Sequence, residues 1–275
     1  MLRISFWAIS TALALAALPD PVAPDPNSPR PIDAVDTVFI EDLTWMEIRD
    51  AMRAGVDTVI IATGGIEQNG PYIVTGKHNY VLKGTTEAIA RKLGKTLVAP
   101  IIAFVPEGDI NPPTVHMKYP GSISLTEETF QALLADICAS YKTHGFKRLI
   151  LIGDSGGNQA GMKAVADKLN AAWKGSPRLI FVPEYYSNDV AVFVKQLGIE
   201  QQPEGLHDDI AMSAQLLAVD PRTIRMNQRI KAGNFRINGV ALAPAEKTIA
   251  IGKKIIEHRA EKTIEAIRKH EQSKP

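Results

Sequence analysis

The sequence predicts an α/β fold of three layers, a mostly parallel sheet with helices on both faces. Three observations point there. Short runs rich in Val, Ile and Leu recur along the chain, each followed by a loop and a helix-like stretch. Several of these runs are apolar throughout rather than alternating, as strands buried on both faces must be. The helical stretches open at capping residues or loop glycines and mostly stop at a glycine.

The first 18 residues precede this pattern. Arg3 supplies one positive charge, residues 4–18 are apolar apart from Ser5, Ser10 and Thr11, and small alanines stand before Pro19. That is the layout of a secretory signal peptide, with cleavage near residues 16–18. The apolar stretch is shorter than the roughly 20 residues a membrane span needs. Export to the periplasm or the medium is the expectation, with no membrane attachment once the leader is removed. Residues 19–35 carry prolines at 19, 21, 24, 26, 29 and 31 and read as an extended linker. Residues 36–275 then form one large domain.

Within that domain Thr44-Trp45-Met46-Glu47 is a capping box, opening a helix that stops at Gly55. The first strand is 58–62. A helix over 81–93 stops at Gly94, and 97–104 is the next buried strand. Thr126 caps a helix over 127–143 that ends at His144-Gly145, where an imidazole suits the helix dipole. Residues 148–152 form a strand, 159–173 a helix and 178–182 another strand. Residues 234–240 look like a turn and a short strand able to close a site. The tail, 245–273, is an amphipathic, charge-rich helix that carries His258 and His270.

Composition excludes some functions. With 31 Lys and Arg against 30 Asp and Glu, the net charge of +1 lacks the basic field a nucleic-acid partner requires. The single cysteine, Cys138, cannot form an internal disulfide and falls in a helical pattern, as a small buried apolar residue would.

Loops after parallel strands converge on the carboxyl edge of the sheet, so the chemistry belongs there. Gly64-Gly65-Ile66-Glu67-Gln68-Asn69-Gly70-Pro71 follows the first strand, and His78 lies eleven residues beyond Glu67. Other loops bring Glu107, Asp109, His116, Asp154, Ser155, Glu184, Tyr185, Tyr186, His207, Asp208 and Asp209. A carboxylate and an imidazole held by one loop suit metal ligation or acid/base work.

The order of four motifs resembles the creatininase (creatinine amidohydrolase) family over about residues 38–225. The segment 64–72 follows the family's Gly-x-x-Glu-Gln-His-Gly-Pro-His frame. His116-Met117-Lys118-Tyr119-Pro120-Gly121 resembles its His-x-x-Phe-Pro-Gly segment. Gly153-Asp154-Ser155-Gly156-Gly157-Asn158 resembles its Asn-Gly-His-Gly-Gly-Asn loop, and 206–213 resembles its His-Ala-Gly block. The resemblance implies a creatininase-like α/β fold, hydrolysis of C–N amide bonds in small molecules or short peptides, divalent zinc or manganese, and a homo-oligomer, often a hexamer. The family's ligand positions are the motif Glu, the His two on, the Asp eleven on and the loop His. This chain has Glu67, Asn69, His78 and Ser155 there, with Gly157 where some members add an acid.

One kept ligand position argues for a rebuilt site with one ion, held by Glu67, His78 and His207. In that scheme Asp154 or Asp209 accepts the proton of the attacking water, and His207 or His116 protonates the departing amine. The backbone of Gly156 and Gly157 supports the oxyanion, and Tyr72 and Tyr185 wall the pocket. Two alternatives stay open. One is a metal-free binding protein or inactive relative. The other is a hydrolase with Ser155 as nucleophile, since Gly153-Asp154-Ser155-Gly156-Gly157 has the outline of a nucleophile elbow.

Overall fold

A computed structural model describes residues 22–202 and 209–272 and divides the chain into two compact units at Ala34/Val35. The described part of the first unit is built of turns, with Asp25 accepting the N–H groups of Asn27 and Ser28. Among the described residues no helix is long and apolar enough to cross a membrane.

The second unit holds the sheet. Its elements are α1 (Trp45–Arg53), β1 (Thr58–Thr63), α2 (Lys77–Leu93), β2 (Thr96–Val98), α3 (Glu127–His144) and β3 (Arg148–Gly153). Then come α4 (Gln159–Trp173), β4 (Arg178–Phe181), α5 (Val190–Gln196), α6 (Ile210–Val219), α7 (Met226–Lys231), the short strands β5 (Arg236–Ile237) and β6 (Val240–Ala241), and α8 (Ala245–Gln272). The predicted capping box is present: Thr44 Oγ1 accepts Glu47 N–H and Glu47 Oε2 accepts Thr44 N–H at 2.8 Å.

The sheet order is β2-β1-β3-β4, all parallel. β1 and β3 pair from Thr58 opposite Arg148 to Thr63 opposite Gly153. Alternate residues of the same strands serve opposite faces. Val59, Ile61, Leu149 and Leu151 pack with Phe130 and Leu134 of α3 and Met162 and Val165 of α4. Ile60, Ala62, Ile150 and Ile152 pack with Leu82 and Ile89 of α2 and Ala260, Ile264 and Ile267 of α8. The three-layer α/β expectation holds.

Two expected boundaries move. The strand expected over 97–104 is regular only through Val98, because Pro100 has no N–H to donate to the ladder. Around it Ala99 and Ile102 still bond to Ile60 and Ala62 of β1. The helix expected from residue 81 starts at Lys77, one turn earlier, with Gly76 at its N-cap. The tail helix α8 crosses α6 closely: a Cβ at Gly252 would lie 1.9 Å from the Ala214 carbonyl oxygen. Only glycine permits that approach.

β1 lies between β2 on one side and β3 on the other, so the strand order reverses at the β1/β3 boundary. A crevice opens there beyond the carboxyl ends. The loops after β1 and β3 start at that point, and they carry Glu67 and Asp154.

Candidate active site

A cavity of about 740 Å³ occupies the crevice. Glu67 sits at its floor. The Glu67 N–H is bonded to Thr75 O, and Ile66 pairs with Ile123 in an antiparallel bridge, so two loops hold the carboxylate in place. Lys77 Nζ donates to Glu67 Oε1 at 2.8 Å, and His78 Nε2 meets the same oxygen at 3.0 Å. His116 Nε2 lies 3.1 Å from Glu67 Oε2. It is carried by a 3₁₀ turn, Val115–Lys118.

The other ring nitrogen of His78 meets Asp154 Oδ2 at 2.8 Å. Asp154 Oδ1 accepts Arg259 Nη2 at 2.8 Å. Arg259 also donates to Gln215 Oε1 and to the Tyr185 carbonyl, and its guanidinium lies 4.3 Å from the Tyr185 ring centroid. A buried chain therefore runs Arg259–Asp154–His78–Glu67, spanning α8, the β3 loop, α2 and the β1 loop. Burial pulls His78 down, but hydrogen bonds to Asp154 and Glu67 prevail and raise it to about 9. Burial raises Asp154, yet the Arg259 charge and the His78 hydrogen bond leave it below its usual value. Glu67, likewise opposed by burial, is held well down by His78 and Lys77.

Glu107 completes the floor. Its N–H donates to Ser124 Oγ at 2.9 Å. Burial, then the charge of Glu67, push its carboxyl up to about 8. Its Oε1 is buried with no hydrogen-bond partner. A Cβ at Gly65 would lie 2.0 Å from that oxygen, so the second glycine of the motif is what admits the carboxyl. Donor atoms of Glu67, Glu107 and His116 lie within 4.8 Å of one another. Two carboxylates and an imidazole are oxygen and nitrogen donors suited to zinc or manganese. The orphaned Glu107 oxygen is a polar atom that a bound cation would satisfy. These residues fit one divalent ion.

The sequence profile of the family described as creatinine amidohydrolase matches residues 41–267. The chain belongs to the creatininase family. A 3-dehydro-scyllo-inosose hydrolase of Thermotoga maritima is 28% identical over 119 residues, 43% of this chain and 36% of that protein. A creatinine amidohydrolase of Pseudomonas putida is 25% identical over 116 residues, 42% of this chain and 44% of that one. The chain thus spans about two fifths of each relative's length. A crystal structure of creatininase superposes with a TM-score of 0.64, covering 87% of this chain and all of the other at 19% identity, a likeness of fold. Solved creatininases include a manganese form and a mutant of zinc–zinc type.

This creatininase-family chain brings Glu67, His78, His116, Asp154, Ser155, Gly156, Gly157 and Asp209 to one cavity. His207 and Asp208 lie outside the described residues. The geometry bears on five of the expected roles. His116, expected to protonate the departing amine, stands in the donor triad with Glu67 and Glu107. His78 stands apart from the donor triad, because both its ring nitrogens are engaged by carboxylates. Asp154, expected as a proton acceptor for water, accepts Arg259 on Oδ1 and meets His78 on Oδ2, which sets it to hold the His78 ring. Tyr185 is 1% exposed, with its hydroxyl 2.7 Å from Thr85 Oγ1, and packs in the core; its neighbour Tyr186 lines the cavity instead. Tyr72 lies away from the cavity lining, its ring over Arg229 and its hydroxyl accepting Asn234 Nδ2 at 3.2 Å.

Other positions explain the family departures. Asn69, at the place of a family histidine, donates to the Glu67 and Val74 carbonyls at 3.0 and 3.1 Å and braces the motif loop. Asn158 is fully buried, and its amide joins the β3 loop to Thr63 and Gly64. Asp209 caps α6 by accepting Met212 N–H at 2.7 Å and lines the cavity. Ser155 has ordinary extended backbone, φ −118° and ψ 146°, without the sharp strain of a nucleophile elbow. Asn238, at the turn of the β5–β6 hairpin, also reaches the cavity. Sequence reasoning placed Glu107 on a converging loop without giving it a role, and missed Lys77 and Arg259 as site residues. Arg259 had a signal: it falls on the buried stripe of α8 with Ile255, Thr263 and Ile267.

Proposed function

We propose that this chain is a metal-dependent hydrolase acting on the C–N amide bond of a small molecule or short peptide. Glu67, Glu107 and His116 would hold one zinc or manganese ion. The observation carrying this reading is the buried donor triad with the unpartnered Glu107 oxygen at the floor of a cavity. A divalent ion there supplies a Lewis acid and a bound water of lowered pKa.

The chain's own residues divide the remaining work. Asp209 holds one oxygen on Met212 N–H and lines the cavity, and it is the carboxylate left to accept a proton from water. It then returns that proton to the departing amine, a step that His207 can share. The backbone of Gly156 and Gly157, leading into α4, offers N–H groups toward the oxyanion. Tyr186, Val115 and Met212 supply apolar surface along the cavity for the substrate to rest against. Arg259 and Asp154 hold the His78 ring, and His78 fixes the rotamer of Glu67.

The relatives' names support a hydrolase, and the family profile spans most of the chain. The leader-like composition of residues 1–18 supports export to the periplasm or the medium, and the family resemblance supports a homo-oligomer such as a hexamer. Metal analysis of the purified chain after exposure to zinc or manganese should find one ion per chain. Glu107→Gln should lose that ion and at least 100-fold of amidase activity while remaining folded. A well-folded wild type without metal would refute the reading.

A further inference from the structure

Lys77 is a costly residue where it stands. It lies in the first turn of α2, where the helix dipole disfavours a cation, and it is followed by a second cationic side chain, His78. Its side chain is 2% exposed and lines the cavity. A buried cation is tolerated only when a carboxylate answers it, and Glu67 Oε1 does so at 2.8 Å. His78 Nε2 takes the same oxygen. Glu67 therefore presents two different faces. Oε1 is committed to the two cations of α2, and Oε2 faces His116.

We infer that Lys77 is a built-in cation that occupies one side of Glu67, restricts the cavity floor to a single divalent ion on the Oε2 side, and weakens that ion's binding. The inference rests on the metal-dependent reading above. Its physical basis is direct. A unit charge a few ångströms from a divalent ion repels it, and the carboxylate oxygen shared with Lys77 is lost as a second ligand. Ser155, a neutral residue lining the same cavity, adds no charge that would draw in another ion. Lys77 acts on the ion through Glu67, so it is a positioning residue.

Titration calorimetry with zinc and with manganese, joined to metal analysis, tests this on the wild type and on Lys77→Met, Lys77→Gln and Lys77→Arg. The wild type should bind one ion. Lys77→Met or Lys77→Gln should bind it at least about 10-fold more tightly, since a neighbouring positive charge is gone. Lys77→Arg, which keeps the charge, should stay near wild type. Thermal melts identify any variant that fails to fold, and the two neutral replacements serve as alternates. A wild type holding two ions overturns the inference, as does a folded neutral variant with unchanged affinity. If the wild type binds no ion, the metal-dependent reading fails; binding by Lys77→Met would then still support a blocking lysine, and no binding by it would overturn both.

Discussion

Replacing Arg259 with Gln tests whether the buried chain from α8 to Glu67 organises the site. Arg259 lies in the long terminal helix, and its guanidinium makes a 2.8 Å bond to Asp154, a 3.1 Å bond to Gln215 and a 3.2 Å bond to the Tyr185 carbonyl. It also stacks over the Tyr185 ring. Breaking a buried ion pair by removing one partner costs about 3–5 kcal/mol, because the other charge stays buried. Here His78 remains bonded to Asp154 and offsets part of that, so the expected loss is about 3 kcal/mol. For a domain of this size that corresponds to a fall in Tm of roughly 6–12 °C. Urea unfolding followed by circular dichroism measures it. A cycle with Asp154→Asn should give a coupling of about 1–3 kcal/mol, the two losses failing to add. A single variant within 1 kcal/mol of wild type, or an additive cycle, would refute the argument that this pair ties α8 to the site.

Other expectations are quicker to check. Gly252→Ala should destabilise the protein by about 1–3 kcal/mol, because a methyl there meets the Ala214 carbonyl and forces α6 and α8 apart; chemical denaturation reads this. Cys138 is fully buried and its thiol is pushed up to about 12, so Ellman's reagent should label it in urea and leave the native protein untouched. Ser155→Ala should keep most amidase activity, and a fluorophosphonate probe should not label the wild type; stoichiometric labelling would restore the serine mechanism.

How much was legible beforehand can be judged residue by residue. The helices α1 and α3 were readable because their caps, Thr44 and Thr126, and stops such as Gly145 are local chemistry. The strands β1 and β3 were readable because six-residue runs such as 58–63 are buried along their whole length. Glu67 and the glycines before it were also recognisable, since a motif is a local arrangement of chain. The start of α2 was not. Lys77 and His78 have no capping side chain before them, and Gly76 looked like loop. What winds that turn is tertiary, namely Glu67 and Asp154 answering the two cations from other loops.

The sequence by itself determined the layers, the order of the motifs and the edge of the sheet where chemistry gathers, because these follow from hydrophobic period, turn residues and chain direction. Which side chains meet there was decided by the tertiary structure alone. Glu107 reaches Glu67 from a loop forty residues away through the space left by Gly65, and Arg259 reaches Asp154 from α8. Such pairs are set by distances across the fold. A buried charge reads in the sequence like any surface charge until its partner is in place.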